Sequence, residues 1–448
     1  MPVSTNPYFE YGSGWRSYSG NIFPLYMPVK KMRVSYLSGK HQLLNPGLIL
    51  LIIALSLNTG FAQTQASKPL VKKPKRVPQK DIVDVAKKAF HKNLTAGPDS
   101  IEHEKGKLHI SVIPAVAYTL MTRTALVIAG NGAFYTDDAE NGNLSTINTS
   151  LAYTQNHQII FPIHTSIWTK ANKYNWQGDW RFYRYPQFTY GLGGHSSRHN
   201  ADLLNYSYIT FRETLQKMVF PDFFVGLGYN MDYHWDISEK GLWEGVVTDY
   251  QKYGKTVKSV STGFSLRFLY DSRRNIINPV PGSYASIIYR PNVQLMGSDQ
   301  NWQSLLAEFR KYIRFPESSH NILALWSYNW ITLSGKPPYL DLPSTAWDEF
   351  NNVGRGYIQS RFRGRNLLYL ESEYRFHLTK NGLFGGVVFV NAQCVSDWPG
   401  DKFNTIWPGV GAGLRIKVNK HSNTNMAIDY GFGMDGSQGL YFGLGEMF

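Results

Sequence analysis

The side chains of this 448-residue chain that could do chemistry fall into two small groups. Glu371 and Glu373 are two residues apart, so on an extended strand they share one face, where paired carboxyls can act as acid and base. His195 and His199 flank Ser196, Ser197 and Arg198, a set that could hold a metal or arm a nucleophile. Neither pattern is specific. No Gly-x-Ser-x-Gly elbow and no His-Glu-x-x-His helix occurs. The single cysteine, Cys394, excludes an intramolecular disulfide and multi-cysteine zinc sites. Arg355, Arg361 and Arg363 lie shortly before the two glutamates, and a buried arginine needs a counter-charge. Ion pairing therefore explains Glu371 and Glu373 better than catalysis, and the histidine cluster reads as an exposed polar loop. No catalytic residue, metal site or cofactor is expected.

The elements that must position these residues are strands. Val260, Thr262, Phe264, Leu266, Phe268 and Tyr270 alternate with Ser259, Ser261, Gly263, Ser265, Arg267 and Asp271. Phe223, Val225, Leu227, Tyr229, Met231, Tyr233 and Trp235 alternate in the same way with Phe224, Gly226, Gly228, Asn230, Asp232, His234 and Asp236. A soluble sandwich alternates too, since one face is its core. Here the apolar faces are rich in aromatics and the opposite faces in Gly, Ser and charge. That suits a lipid-facing exterior around a wet lumen. The pattern predicts strands at 108–118, 124–136, 145–155, 158–170, 174–187, 204–216, 223–236, 258–271, 283–296, 302–315, 321–334, 366–379, 383–396, 407–420, 423–435 and 439–448. Most exceed the about 9–11 residues that cross a bilayer at a tilt. The long connections 188–203, 237–257, 335–365 and 397–406 all follow odd-numbered strands, and the turns at the other end are short except 272–282. The expected fold class is all-β: a transmembrane antiparallel β-barrel of about sixteen strands over 108–448, with its start and short turns in the periplasm. On the last strand Leu440, Phe442, Leu444 and Phe448 share the apolar face, interrupted by Glu446.

The ends of the chain account for its charge. A mean hydropathy of −0.31 hides one apolar run, 48–57, short of the about 20 residues a helical span needs. It follows Lys30, Lys31, Arg33 and Lys40 and ends in Asn58-Thr59-Gly60-Phe61-Ala62. Residues 1–62 therefore read as a leader with a secretory signal peptide, cleaved after Ala62, with Met27 and Met32 as alternative starts. Residues 63–107 hold 11 basic and 5 acidic side chains, and the leader 5 and 1. These segments supply +6 and +4 of the net +14, which leaves +4 for the barrel and excludes a nucleic-acid-binding face. Residues 63–80 read as a basic linker, and 81–92 as a short helix capped by Asp81, with Ile82, Val85, Ala86 and Ala89 on one face. Such a periplasmic segment can touch anionic headgroups, although a solvated linker is the simpler reading.

Three motifs carry a resemblance. The connection 335–365 contains Gly354-Arg355-Gly356-Tyr357 and Arg361-Phe362-Arg363-Gly364, followed by the strand Leu367-Leu368-Tyr369-Leu370-Glu371-Ser372-Glu373-Tyr374-Arg375-Phe376. Asp271-Ser272-Arg273-Arg274-Asn275 precedes Pro279, Pro281 and Gly282. Near the end stand Gly409-Val410-Gly411-Ala412-Gly413-Leu414-Arg415, Ile428-Asp429-Tyr430-Gly431 and the final Phe448. In order and strand position these resemble the BamA/TamA-type surface-antigen barrel family of the bacterial outer membrane. The resemblance implies that the Arg-Gly-aromatic tip folds into the lumen between strands eleven and twelve, where the strand count independently places it. Arg355 would then pair with Glu373, and Glu371 and Arg375 share that inward face. The family offers an inward Asp on strand thirteen after a Phe; here Phe389-Val390-Asn391 puts the neutral Asn391 there. Gly443 and Phe448 would belong to a C-terminal assembly signal read by the barrel-assembly machinery. The 45 residues of 63–107 are too few for a POTRA module and lack its βααββ pattern, so a POTRA-less member is expected, with client recruitment in doubt.

Three functions compete. The first is insertion or translocation of proteins or lipids through a lateral seam between the first and last strands, which Gly439, Gly443 and Gly445 would loosen. The second is a passive or structural barrel, its lumen plugged by 335–365. The third is an enzyme or binding module of the outer loops. The partners expected are outer-membrane lipid, the assembly machinery and a separately encoded periplasmic protein.

Overall fold

The computed structural model describes residues 79–82, 84–85, 106–137, 142–273, 275, 278–279, 281–420 and 423–448. The expected signal peptide, most of the linker and most of the 81–92 helix lie outside them. Seventeen strands form one antiparallel sheet. They are β1 (His109–Thr119), β2 (Arg123–Phe134), β3 (Ser145–Thr154), β4 (Ile159–Trp168), β5 (Tyr174–Arg184), β6 (Gln187–Thr189), β7 (Asp202–Phe220), β8 (Phe223–Glu239), β9 (Ser259–Asp271), β10 (Gly282–Asn292), β11 (Trp302–Arg314), β12 (Ile322–Gly335), β13 (Asn366–His377), β14 (Phe384–Val395), β15 (Trp407–Asn419), β16 (Thr424–Gly433) and β17 (Gln438–Leu444). β5 and β6 both pair with β7 and are two parts of one strand, broken at Tyr185 and Pro186. The expected sixteen strands are therefore present, within a few residues of the predicted ends.

With β5 and β6 counted as one, each strand pairs with the next in sequence, from β1–β2 to β16–β17. β1 and β17 lie side by side, and the Leu120 side chain stands 3.0 Å from where a Cβ on Gly439 would be. Among the described residues no backbone ladder joins these two strands, so the barrel has a seam. Pro114, which has no N–H to donate, sits within β1, a position that suits an edge strand.

The alternation sorts the faces as the sequence predicts. On β8, Phe224, Asn230, Asp232 and His234 are buried inward, while Leu227 on the other face is exposed. The lumen, however, is not simply wet. Tyr185, Tyr206, Tyr208, Tyr250 and Tyr339 form a buried cluster, and a second gathers Tyr312, Trp326, Tyr357, Phe362 and Trp407. Aromatic rings face inward because wall and plug loop supply partners for each other's polar tips: Tyr185 of the wall donates to Gln359 of the loop (2.7 Å), and Tyr357 of the loop to the Pro408 carbonyl of the wall (2.6 Å).

The last strand departs from expectation. β17 ends at Leu444, and Gly445, at φ +92°, turns the chain inward through a conformation only glycine adopts without strain. Phe448, expected on the lipid face, is 4 % exposed and stacks on Trp326 inside the barrel, with ring centroids 5.0 Å apart. Glu446 likewise leaves the apolar face and pairs with Arg415 (2.7 Å). A carboxylate beside lipid lacks a partner, and the turn gives it one.

At the end with short turns, Asp81 caps the residues after it, accepting from Asp84 N (2.9 Å), as the sequence predicts. Lys80 N donates to Asn381 O (3.1 Å), and Lys420 Nζ reaches Asp84 (2.9 Å). This N-terminal segment is thus tied to the turns after β13 and β15. At the Asp271 motif, Arg273 grips Asp271 in a fork (2.9 and 2.8 Å) and covers the Tyr284 ring at 4.5 Å.

Candidate functional site

Connection 335–365 leaves β12 at the long-loop end and fills the lumen. Asp348 shapes it by accepting from the N–H groups of Val353 (2.8 Å) and Asn352 (3.1 Å), and burial raises its pKa. A bridge between Ser344 and Arg363 and the bond from Thr345 N to Phe362 O (3.0 Å) hold the two limbs of the loop together. Arg363 is used within the loop, donating to the carbonyl of Tyr339 (2.9 Å) and to Ser360 Oγ (3.0 Å). Arg361 reaches another loop, donating to Ser196 Oγ (3.0 Å) and its carbonyl (2.9 Å). Of the three arginines, then, only Arg355 meets Glu371 and Glu373.

Arg355 is 1 % exposed. Its Nη2 binds both Glu371 and Glu373 on β13, and its Nη1 donates to Asp429 on β16 at 2.6 Å. The guanidinium plane lies 3.6 Å from the centre of the Phe389 ring on β14. Asn391 does not serve the guanidinium. Its Nδ2 donates to the backbone carbonyl of Arg355 (2.9 Å). The acceptor absent at position 391 is supplied by Asp429, which sequence reasoning quoted within a motif but assigned no role. Its position between Ile428 and Tyr430 marks it as inward by alternation alone, so the signal was there.

Around this centre the charges continue. Arg375 binds Glu373 (2.7 Å) and, through Nη2, the carbonyl of Phe448 (3.1 Å). Arg415 binds Asp429 and Glu446, and Asn425 donates to Glu446 (2.7 Å). Three guanidiniums (Arg355, Arg375, Arg415) thus face four carboxylates (Glu371, Glu373, Asp429, Glu446). The network links the loop tip to the inturned tail, and Asn352 Nδ2 adds a direct bond to Met447 O (2.7 Å).

The tip can come this close because the wall beneath it lacks side chains. Gly356 N donates to Tyr441 Oη on β17 (2.8 Å). A Cβ on Gly431 would lie 2.8 Å from the Gly356 nitrogen, and one on Gly409 2.7 Å from the Arg355 carbonyl oxygen. Backbone cannot yield at such distances. Gly431→Ala is therefore expected to lift the tip and weaken its docking by about 1–3 kcal/mol. Limited proteolysis of the purified barrel checks this: cleavage within 335–365 should accelerate while the barrel keeps its heat-resistant mobility on a gel.

The root of the loop is fixed to the opposite wall by a carboxyl held through a hydrogen bond. Asp341 accepts from Ser261 Oγ (2.6 Å) on β9 and stands 3.8 Å from His234 on β8. Behind it Arg290 and Arg212 bind Asp232 (2.6 and 3.1 Å). Burial, with the Asp232 carboxylate nearby, pushes the Asp341 carboxyl up to about 7. The loop therefore spans the lumen as a strap, a buried carboxyl near one wall and a guanidinium at the other.

His195 and His199 stay in the outer loop 190–201. His195 reaches Thr405 (3.2 Å) and lies 3.5 Å from Asp397. Among the described residues no group of three or more His, Cys, Asp or Glu side chains is placed to hold a metal ion. Gly443 lies on β17, where a Cβ would meet only Met447.

The sequence model of the Omp85 superfamily domain matches residues 130–448. Among solved structures, BamA from Haemophilus ducreyi lacking POTRA domains 1-3 is 14% identical over 75% of this chain and 70% of its own, with a TM-score of 0.49. CdiB from Acinetobacter baumannii is 11% identical over 75% of this chain and 65% of its own, with a TM-score of 0.47. CdiB from Escherichia coli is 11% identical over 76% of this chain and 63% of its own, with a TM-score of 0.50. At these identities the likeness concerns the fold, and the chain spans less than two thirds of either CdiB. No curated protein matches in sequence.

Proposed function

The chain belongs to the Omp85 superfamily, and we propose that it is a bacterial outer-membrane β-barrel that inserts or translocates proteins or lipids at that membrane through the seam between β1 and β17. The observation that carries this reading is the unpaired seam itself. A barrel that only seals or conducts gains by closing its ladder, because an open strand edge in hydrocarbon leaves backbone groups without partners. Here the last strand ends early and its final residues turn into the lumen, so β1 keeps a free edge. The residues after β17 pair with the same arginines that surround the plug tip, which supports a seam and a stopper that move together.

On this reading outer-membrane lipid is the immediate partner, and the barrel-assembly machinery inserts the chain, with Gly443 and Phe448 available as its signal before the tail folds inward. A separately encoded periplasmic protein would supply client recruitment, docking where residues 79–85 meet the turns after β13 and β15.

A staple across the seam tests the proposal. Leu120→Cys and Gly439→Cys, in a Cys394→Ser background, place two thiols across it. The oxidised protein should fail to replace the wild type when outer-membrane protein and lipid levels are followed in depleted cells, and reductant should restore it. The reduced form carries any crowding of Tyr441 by the new side chain, so the comparison isolates the seam. Full function of the stapled barrel, or unchanged protein and lipid levels on depletion, would leave the plugged, passive barrel as the better reading.

A further inference from the structure

The outer loops enclose a cavity of about 140 Å³ that the plug and the seam do not explain. It lies between connection 240–257, whose one helical turn is α1 (Asp249–Gly254), the start of β7, and the root of the plug at Tyr339. A cavity needs about 10–15 Å³ of such space per water, so this one holds several waters or one small ring.

Its walls differ in chemistry. Trp243, 62 % exposed, stands at the lip, with Val247 half-exposed beside it. The turn that carries Trp243 runs between Gly241 and Gly245 and makes few hydrogen bonds of its own. Opposite lie two carboxylates held in place from behind. Asp249 accepts from Leu192 N (2.9 Å) and binds Lys252 (3.3 Å). Asp202 accepts from Gly241 N (2.9 Å) through Oδ1. Its Oδ2 is sealed from solvent against the Glu239 carboxyl, so Asp202 builds the wall and stays out of a ligand's reach. Asn200 adds an amide that can donate as well as accept. The floor is rigid. Tyr339 and Thr189 share a hydrogen bond of 2.6 Å, and the Tyr250 and Tyr339 rings meet edge to face at 5.1 Å.

We propose that this cavity is a sugar-binding site at the long-loop end of the barrel, taking one hydroxylated ring with a face against Trp243 and hydroxyls on Asp249 and Asn200. An indole offers a flat apolar surface to the C–H face of a ring, and a carboxylate and an amide accept and exchange hydrogen bonds with its hydroxyls. The inference stands apart from the translocation reading, since it needs only the cavity. Its placement gives it a consequence: Tyr339, whose carbonyl holds Arg363, roots the plug, so an occupied site would steady the stopper.

Saturation-transfer NMR on the full-length protein in detergent micelles tests it, with methyl glycosides of glucose, galactose and N-acetylglucosamine as probes. At least one should receive saturation at its ring protons. Trp243→Ala should weaken that binding about tenfold or more, whereas Trp243→Phe should retain most of it. Trp243 is exposed, so heat-resistant gel mobility should be unchanged in both variants and should show that the barrel is intact. Absence of transfer from every glycoside overturns the proposal. So does equal binding by Trp243→Ala, or binding only of a lysine-rich peptide, which the same carboxylate could accept.

Discussion

Arg355→Ala should turn a sealed barrel into a conducting one. In planar bilayers the wild-type protein is expected to be nearly silent, and the variant to show large, frequent openings. Removing this guanidinium leaves Glu371, Glu373 and Asp429 in a dry site where Arg375 and Arg415 alone face four carboxylates. Breaking one partner out of a buried ion cluster costs about 3–5 kcal/mol, which matches all that the remaining tip bonds supply and so undoes the docking. Those bonds are the contacts of Tyr357 with Pro408, Met434 and Tyr441, of Gly356 with Tyr441 and of the Arg355 carbonyl with Asn391, each contributing on the order of 1 kcal/mol. Arg355→Lys should fall between, because one ammonium cannot fork from β13 across to β16. If Arg355→Ala leaves both conductance and protease access to 335–365 unchanged, the guanidinium is not what holds the stopper.

Asn391→Asp is the second large effect, and its direction runs against the family resemblance. Family members place an acid on this strand, so the change looks like a restoration. In this barrel it should destabilise the docked tip by on the order of 3 kcal/mol, more than Asn391→Ala at about 1 kcal/mol. The amide donates to the Arg355 carbonyl, and a carboxylate there would put acceptor against acceptor. It would also add a fifth buried negative charge to a cluster that already holds four against three guanidiniums. Asp429 has taken the acid's place from the other side of the guanidinium. Urea unfolding of the three proteins, followed by tryptophan fluorescence, ranks them. Adding Glu371→Gln to Asn391→Asp should recover part of the loss, since it removes one of the competing charges. An Asn391→Asp protein as stable as wild type would mean that position 391 still belongs to the guanidinium.

Both predictions rest on residues that were visible in the sequence but not on their partners. Gly354-Arg355-Gly356-Tyr357 and the pair Glu371 and Glu373 could be matched because they sit on one connection and the strand that follows it. The seam was foreseen from glycines and from resemblance. The inturned tail was misjudged because alternation was extended past Leu444, through a Gly445 that reverses the chain.

What the sequence by itself determined is local. Side chains on a strand alternate with period two whatever the strand pairs with, so the sixteen strands, their faces and the end with the long loops follow from residue order alone. Tertiary structure decided what meets across the lumen. Arg355 and Asp429 are 74 residues apart and join only because the sheet curls until β13 and β16 face one point. The inward tyrosines, the use of Asn391 by a backbone carbonyl and the burial of Phe448 have the same origin. Each depends on the curvature of the whole sheet and on a loop returning into it, and neither is written in the period of any single strand.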